Sequence, residues 1–314
     1  MRTLRIGSRG SPLALWQADY VSDWLERTHG VSPEIIRIRT TGDRVLEPNF
    51  TSMGLKGVFI KELEDALLDR RVDLAVHSMK DVPTAVPAGL TLTAIPRRED
   101  VRDCLISRNG QTLAQLPPGA RVGTSSLRRQ AQLRRARPDI VPADMSGNVE
   151  TRIRKLDEGE FDAIVLARAG IERLGLAARI TETFEPTVML PAVGQGALAV
   201  ETRADDAEVM QILAGLDDAP TRCAVEAERA LLSKLEGGCQ VPLGAWARFE
   251  AGGAANQLVL DACVCSADGS ELIRDSLRGP ADKPLALGRD LAHRLLDAGA
   301  DRILRLAGRT LGSR

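Results

Sequence analysis

Short apolar runs alternate with amphipathic helical segments along the first part of the chain. A predicted strand at 4–8 is followed by Ser11 and Pro12, and apolar residues then recur with helical spacing from Leu13 to Trp24. Serine before proline is typical of a helix N-terminus. The pattern next predicts a strand at 34–39, a helix that begins near 57–62 and ends near 69, and a buried strand at 73–77. This alternation indicates an α/β domain.

The same pattern recurs in the second part of the chain. It predicts a strand at 121–123, a capping turn at 124–126, helices at 127–137 and 149–156, and a buried strand at 162–166. The matching order of strand, polar turn and helix indicates two α/β domains of similar topology. In such sheets, ligands bind at the carboxyl ends of the strands, where the following helices begin.

The last part of the chain has a different pattern. A glycine-containing apolar segment at 190–203 is predicted to return the chain from the second domain to the first. A helix from Pro220 to about 235, strands at 244–249, 258–265 and 271–276, and a helix at 285–298 follow. They indicate a smaller C-terminal α+β domain. The predicted domains are 1–96 with 197–216, then 97–196, then 217–314.

Composition restricts the possible functions. The 314 residues are 44% hydrophobic and 27% charged, with a net charge of −1. The chain shows neither a signal-peptide pattern nor a membrane-length apolar run, so we expect a cytoplasmic protein without a membrane partner. Its five cysteines lack a disulfide-framework spacing, and its three histidines are far apart, so no metal site is expected.

Arginine is unusually prominent. Thirty-six of the 42 basic residues are arginine, and several lie on the predicted helix at 127–137. A basic helix raises nucleic acid as a possible partner. The near-zero net charge and an aromatic share of 3% argue against that function.

Three predicted strand-to-helix turns combine a polar capping residue with arginine. They hold Arg9 with Ser11, Ser125 and Ser126 with Arg128 and Arg129, and Asn148 with Arg152. A helix N-terminus favours anions, and a fixed cation strengthens the preference. Each turn alone fits an ordinary capped helix. If the three faced one cleft, they would bind a ligand with several carboxylates or phosphates.

Two further residues have open interpretations. Asp81 follows a buried strand beside Lys80, where it would either cap a turn or stabilise a developing cation. Cys239 lies in the glycine-rich loop LEGGCQVPLG, where a thiol is accessible. It is a nucleophile, a covalent attachment point or a spare cysteine, and the lack of a nearby histidine weakens the first of these.

Seven segments together resemble one family, porphobilinogen deaminase, also called hydroxymethylbilane synthase. They are RIGSRGSPLALWQA, GVFIKELE, DLAVHSMKDVP, VGTSSLRRQAQL, GNVETRIRKLD, LPAVGQGAL and LEGGCQVPLG. They span nearly the whole chain in family order. The resemblance implies two periplasmic-binding-protein-like (type II) α/β domains and a third domain that carries the cofactor cysteine.

The resemblance also implies an activity, a cofactor and a set of site residues. The family is a transferase that condenses four porphobilinogen molecules head to tail, with loss of ammonia, on a dipyrromethane primer held by a thioether at the position of Cys239. Hydrolysis then frees hydroxymethylbilane. Every pyrrole carries acetate and propionate, and Asp81 matches the catalytic aspartate.

The other implied residues fall into three groups. Those matching cofactor-binding positions are Lys80, Asp81, Ser126, Arg128, Arg129 and Arg152. Those matching substrate-binding positions are Arg9, Ser11, Arg152, Arg173 and Gln195, and those matching an active-site loop are Lys56 and Phe59. The resemblance further implies a monomer whose product passes to uroporphyrinogen-III synthase.

The sequence departs from the family pattern at Ser146, where arginine is usual, and to a lesser degree at Leu55, where a small residue is usual. One carboxylate-binding arginine is therefore missing. We expect weaker substrate binding or stalled elongation, unless Arg154 or Arg168 compensates. The alternatives are an impaired family member, or a non-catalytic two-lobed protein that binds small anions.

Overall fold

The computed structural model describes residues 3–40, 60–235, 242–250 and 256–312. The strands are β1 (Arg5–Ser8), β2 (Glu34–Arg37), β3 (Leu74–Ser78), β4 (Leu90–Ala94), β5 (Asp103–Ser107), β6 (Arg121–Gly123), β7 (Val141–Ala143), β8 (Ala163–Ala167), β9 (Glu182–Thr183), β10 (Leu198–Arg203), β11 (Leu243–Phe249), β12 (Gln257–Cys265) and β13 (Leu272–Pro280). The α-helices are α1 (Pro12–His29), α2 (Lys61–Leu68), α3 (Leu127–Ala136), α4 (Val149–Asp157), α5 (Arg168–Arg173), α6 (Ala207–Leu213), α7 (Ala219–Leu235), α8 (Pro284–Asp297) and α9 (Ala300–Gly312).

The chain divides into two compact units. The first comprises residues 1–50, 55–99 and 196–222, and the second comprises 51–54, 100–195 and 223–314. The first unit contains a five-stranded sheet of order β2-β1-β3-β10-β4, in which β1 is parallel to β2 and β3 while β10 is antiparallel to β3 and β4. Val21 and Leu25 of α1 lie in one core cluster, and Leu63 and Leu67 of α2 lie in another.

The second unit contains a sheet with the same arrangement of strands. Its order is β7-β6-β8-β5-β9, with β6 parallel to β7 and β8, and with β5 antiparallel to β8 and β9. Here β5 takes the place that β10 has in the first sheet. The prediction of two α/β domains with similar topology is therefore confirmed.

A three-stranded antiparallel sheet of order β11-β12-β13 also belongs to the second unit. Helices α7, α8 and α9 contribute to its core, as Leu231, Leu291 and Ile303 show. Gly288 allows α8 to lie very close to α7, since a Cβ atom on it would be 2.2 Å from the Ala227 carbonyl oxygen. The predicted C-terminal α+β part is confirmed, whereas the division into three domains at residues 96, 196 and 216 stays a prediction.

The structure also contains elements that the hydrophobic pattern did not predict. These additional elements are strands β4, β5, β7 and β9 and helices α5, α6 and α9. Strand β13 also continues to Pro280, whereas the pattern predicts its end at 276. The segment 190–197, which we read as part of a strand, contains turns, and regular β10 begins at Leu198.

Two features, a membrane-spanning helix and a group of metal ligands, are absent from the described residues. No helix in the described ranges is long and apolar enough to cross a membrane. Among the residues that the structure describes, no three His, Cys, Asp or Glu side chains are grouped so that they could hold a metal ion.

Candidate active site

The carboxyl ends of β1 and β3 meet at one edge of the first sheet because these strands are parallel neighbours. The turn after β1 leads into α1, whose N-terminus is capped by Ser11, with the hydroxyl accepting a hydrogen bond from the Ala14 N–H. Arg9 lies in this turn and is half-buried. The predicted cap is confirmed, and it places a hydroxyl, a cation and free helix N–H groups together.

The turn after β3 presents the proposed catalytic carboxylate. Lys80 and Asp81 form a short 3-10 turn with Met79, and both side chains are exposed while Met79 is buried. The Met79 N–H donates to the Ala197 carbonyl oxygen at 3.0 Å. A buried residue and a backbone hydrogen bond thus anchor the turn and leave its two charged side chains at the surface of this unit.

Gln17 connects the two turns of the first unit. It lies on the buried face of α1 and is 3% exposed, and its Nε2 donates to Ser78 Oγ at 2.8 Å. Ser78 is the last residue of β3, so this hydrogen bond joins the helix that follows Arg9 and Ser11 to the strand that ends before Asp81. The sequence indicates that Gln17 has a buried partner, since it is a polar residue at an apolar helical position.

His77, near the carboxyl end of β3, is a packed core residue. It is 5% exposed, and its Nε2 lies 3.0 Å from Glu201 Oε2 on the neighbouring strand β10. Burial, together with the negative charge of Glu201, raises the pKa of Glu64 on α2. The first sheet therefore buries a cluster of ionisable groups next to the Asp81 turn.

The second unit has two polar turns at the carboxyl ends of the parallel strands β6 and β7. Ser126 caps α3 by accepting from the Arg129 N–H, and Asn148 caps α4 by accepting from the Thr151 N–H at 2.9 Å. Ser125 Oγ donates to the Met145 carbonyl oxygen at 2.6 Å and accepts from its N–H at 3.0 Å. The two predicted caps are confirmed, and Ser125 fixes the two turns to each other.

Arg128 and Arg129, at the start of α3, share a buried carboxylate. Asp103 Oδ2 accepts from Arg128 Nη1 at 2.7 Å, and Oδ1 accepts from Arg129 Nη2 at 2.8 Å. Asp103 is fully buried, and the two arginines are 4% and 5% exposed. Burial would raise the pKa of Asp103, but the two guanidinium groups outweigh it and hold that pKa well below its usual range.

Gln195 takes part in the same network. Its Nε2 donates to Asp103 Oδ1 at 2.9 Å and to the Val101 carbonyl oxygen at 2.7 Å, and the side chain is fully buried. The preceding residue, Gly194, donates its N–H to Glu228 Oε2 at 2.7 Å. A substrate-binding role for Gln195 stays a prediction, because the amide nitrogen already serves these two acceptors.

The remaining predicted arginines lie on α4 and α5. Arg152 is half-buried on α4, and its Nε donates to the Gly147 carbonyl oxygen at 2.8 Å, while Arg173 is half-buried at the end of α5. Ser146 is exposed between the capped turns. Arg154 is paired with Glu158, and Arg168 with Glu172 and Asp100. Cys239, Lys56 and Phe59 lie outside the described residues.

Three buried residues that support the site are not predicted from the sequence: Asp103, Gln17 and Glu228. Glu228 lies on the apolar face of α7, where Ala224 and Leu231 are also buried, so its position is a signal that it has a buried partner. Asp103 begins a strand that was not predicted, and no local pattern indicates its role.

These observations define a class of protein. The chain is an α/β protein in which polar-capped helix N-termini and arginines follow the parallel strands of two similar sheets, a design suited to ligands with several carboxylates.

Comparisons with known proteins identify the family. Residues 4–211 match the family model "Porphobilinogen deaminase, dipyromethane cofactor binding domain", and residues 222–297 match "Porphobilinogen deaminase, C-terminal domain". The porphobilinogen deaminase of Desulforudis audaxviator is 56% identical over 96% of this chain and 97% of its own length. That of Syntrophobacter fumaroxidans is 53% identical over the same shares. The chain belongs to the porphobilinogen deaminase family.

The chain also partly matches the solved structure of a periplasmic substrate-binding protein of an ABC transporter from Coxiella burnetii. It is 15% identical, with a TM-score of 0.42, and the match covers 68% of this chain and 92% of that one. The family membership makes this chain a transferase of the hydroxymethylbilane synthase type, with dipyrromethane as its cofactor.

Proposed function

We propose that Asp81 is the catalytic residue of this chain and that Cys239 carries the dipyrromethane through a thioether. Porphobilinogen is then condensed four times, with loss of ammonia, before water releases hydroxymethylbilane. The observation that carries the proposal is the exposed Lys80–Asp81 pair at the carboxyl end of β3, beside the capped turn of Arg9 and Ser11. A carboxylate there can stabilise positive charge while the neighbouring cations and N–H groups hold anionic substituents.

The described residues fit a ligand rich in carboxylates. Arg128 and Arg129 share the single carboxylate of Asp103, so this hydrogen-bonded group keeps a net charge of +1. Within the described part of the chain, Arg128 Nε is buried and has no hydrogen-bond partner. A buried, unpartnered donor on an excess positive charge favours an anionic acceptor. When bound, dipyrromethane supplies the primer and carries acetate and propionate groups.

The residues form three groups in the proposed reaction, and Arg152 belongs to two of them. Lys80, Ser126, Arg128, Arg129 and Arg152 hold cofactor carboxylates. Arg9, Ser11, Arg152, Arg173 and Gln195 hold those of the substrate, and Lys56 and Phe59 belong to a loop near the site. Division of the task among several fixed donors keeps the reacting carbon atoms in register.

Asp81 acts on the charge that develops in the substrate. The aminomethyl group of porphobilinogen is protonated, so when its C–N bond breaks the electron pair leaves with nitrogen as neutral ammonia, and a methylene carbon conjugated with the pyrrole becomes cationic. The Asp81 carboxylate stabilises that cation and the pyrrole N–H. Asp81 would also accept the proton that formation of the new C–C bond releases.

Intact-mass measurement tests the attachment. Purified wild-type protein should carry a mass excess that corresponds to two linked pyrroles, and Cys239→Ser should lack it. Cys223→Ser is the matched control, because Cys223 is a half-buried thiol of the same unit and should keep the excess. An unmodified wild-type protein from a host that makes porphobilinogen would contradict the proposal.

Asp81→Asn tests the catalytic role. The variant should keep the mass excess but lose at least about 100-fold in kcat, the usual scale for removing a proton-transfer or charge-stabilising carboxylate. Asp65→Asn changes an exposed aspartate on α2 of the same unit and should leave kcat unchanged. A wild-type rate in Asp81→Asn would exclude Asp81 as the catalytic group.

Ser146 is proposed to weaken one carboxylate contact. The two candidate substitutes already have carboxylate partners, but Arg154 could leave its exposed i,i+4 pair at a cost of only about 0.3–0.5 kcal/mol. Ser146→Arg should therefore lower KM for porphobilinogen or reduce the accumulation of partly elongated enzyme. Unchanged turnover and unchanged intermediates would contradict the proposed effect of Ser146.

We further propose a cytoplasmic monomer that passes its product to uroporphyrinogen-III synthase. The supporting chemistry is that the hydroxymethyl group of a linear tetrapyrrole is reactive, so direct transfer to a ring-closing enzyme controls how the ring closes. Light scattering would report the mass of the protein in solution, and a dimer would contradict the first part. A coupled assay that captures no product when that synthase is added would contradict the second.

A further inference from the structure

Asp103 is the common acceptor for three buried side chains. Its Oδ2 accepts from Arg128 Nη1, while its Oδ1 accepts from Arg129 through Nη2 and Nε, at 2.8 and 3.0 Å. Oδ1 also accepts from Gln195 Nε2 at 2.9 Å. The carboxylate therefore sets the position of both guanidinium groups and connects them to the end of the 100–195 segment of the second unit.

Two backbone carbonyl groups complete the orientation of the arginines. Arg128 Nη1 also donates to the Leu190 carbonyl oxygen at 2.7 Å, and Arg129 Nη1 donates to that of Val165 at 3.0 Å. These contacts occupy the Nη1 nitrogen of Arg128 and leave its Nε without a partner among the described residues. Because the guanidinium is planar, fixing Nη1 also fixes the direction in which the Nε–H points.

We propose that Asp103 is a positioning residue for cofactor loading: it holds Arg128 and Arg129 in place and sets their shared charge so that the pair takes one carboxylate of the dipyrromethane. Two cations with one anion leave a charge of +1, which one further carboxylate neutralises. This inference rests on the proposed cofactor-binding role of the two arginines.

The competing possibility is that Asp103 only stabilises the fold. A buried carboxylate between two guanidinium groups contributes to folding whether or not a ligand binds nearby, and removal of one partner leaves buried charge without compensation. A test therefore needs a property that lower stability alone does not change. The fraction of folded protein that carries the cofactor is such a property.

Asp103→Asn keeps the shape of the side chain and removes its charge. The wild type and the variant are expressed in the same host, the folded monodisperse fraction is isolated, and intact mass gives the loaded fraction. We expect it to fall at least about tenfold, the factor that corresponds to one charge-assisted hydrogen bond. Asp103→Glu restores the carboxylate and should bring the loaded fraction back to within about twofold of the wild type.

Glu182→Gln is the matched control, because it neutralises a half-buried carboxylate of the same unit that accepts from the Leu113 N–H at 2.6 Å and lies outside the Asp103 network. It should lower stability and stay loaded. A fully loaded Asp103→Asn, or equal loss of cofactor in Glu182→Gln, would overturn the proposal. Wild-type protein without the pyrrole mass would instead overturn the proposed attachment itself.

A milder variant keeps the proposal testable if Asp103→Asn does not fold. Gln195→Met removes one hydrogen bond to Oδ1 and leaves both ion pairs intact, so no buried charge loses its partner. We expect a smaller fall in loading or in kcat/KM. Wild-type loading together with wild-type kinetics in this variant would count against the proposal.

Discussion

Replacing Glu228 by glutamine should destabilise the second unit, because this carboxylate holds two separate segments. Its Oε2 accepts from the Gly194 N–H at 2.7 Å and its Oε1 from the Ala247 N–H at 2.8 Å. Gly194 belongs to the turn before Gln195, while Ala247 is in the middle of β11. The side chain is fully buried, so water cannot replace either contact.

The size of the effect follows from the two contacts. In Glu228→Gln, one oxygen becomes an amide NH2 that faces an N–H donor, so a charge-assisted bond worth about 1.5–3 kcal/mol is lost. The second bond weakens by roughly half when the acceptor becomes neutral. Removal of a buried charge returns part of the cost. We therefore expect the free energy of unfolding to fall by about 2–3 kcal/mol, and Tm to fall by about 4–10 °C.

Urea unfolding followed by the fluorescence of Trp246 measures the unfolding free energy of the second unit. Trp246 lies beside Ala247 on β11, and phenylalanine at Trp16 and Trp24 removes the signal of the first unit. A probe within one unit is needed because a chain with several domains need not unfold in a single step.

An exposed glutamate provides the control. Glu160 lies in the turn after α4 in the same unit, so Glu160→Gln makes the same chemical change at an exposed position and should change the unfolding free energy by less than about 0.5 kcal/mol. If Glu228→Gln behaves in the same way, the two backbone contacts do not stabilise this unit and the reasoning is wrong.

Three further predictions concern other parts of the molecule. Gln17→Leu should lower kcat about tenfold or more with a loss of only about 1 kcal/mol in stability, because its bond to Ser78 positions the Asp81 turn. Gly288→Ala should lower the free energy of unfolding by about 1–3 kcal/mol despite the higher helix propensity of alanine, because its Cβ would be 2.2 Å from the α7 backbone. Glu64 has a folded-state pKa above its ordinary value of 4.5, so stability should fall as pH rises above that value. Glu64→Gln should abolish this fall and raise Tm at neutral pH.

Each of these predictions has its own contradicting outcome. For Gln17, a double variant with Ser78→Ala should be no worse than the poorer single variant, and additive losses would show that the hydrogen bond is irrelevant. For Gly288, the comparison is Gly10→Ala, where an added Cβ meets no atom within 4 Å, and equal stability of the two variants would contradict the overpacking. For Glu64, Tm profiles of the variant and the wild type that are parallel at every pH would contradict the shifted titration.

The local features of the site were predictable from sequence because their causes are local. Ser11 and Ser126 cap the helices that their neighbours predict, and the hydrogen bonds involved span three residues. The apolar strand before Asp81 is likewise read from a few adjacent residues. Short strands such as β7 and β9 were missed because two or three residues give no period, and their pairing with distant strands forms them.

What the sequence did not reveal is which charges satisfy one another. Arg128 and Arg129 look like open anion-binding groups in a linear reading, yet a carboxylate that precedes Arg128 by 25 residues holds both. That pairing depends on β5 lying next to β8 in the sheet, which no local pattern specifies. This pairing matters for the proposed site, because one carboxylate between two guanidinium groups leaves an excess positive charge.

Buried polar residues on apolar faces are the best remaining signal for such pairings. Gln17 and Glu228 occupy core positions of their helices, where an unpaired polar group would cost about 1–3 kcal/mol. The sequence thus states that each must have a partner, although only the fold identifies Ser78 for one and two backbone N–H groups for the other. Since the first pairing lies beside Asp81 and the second beside Gln195, the polar residues that break the hydrophobic pattern mark the supports of the proposed site.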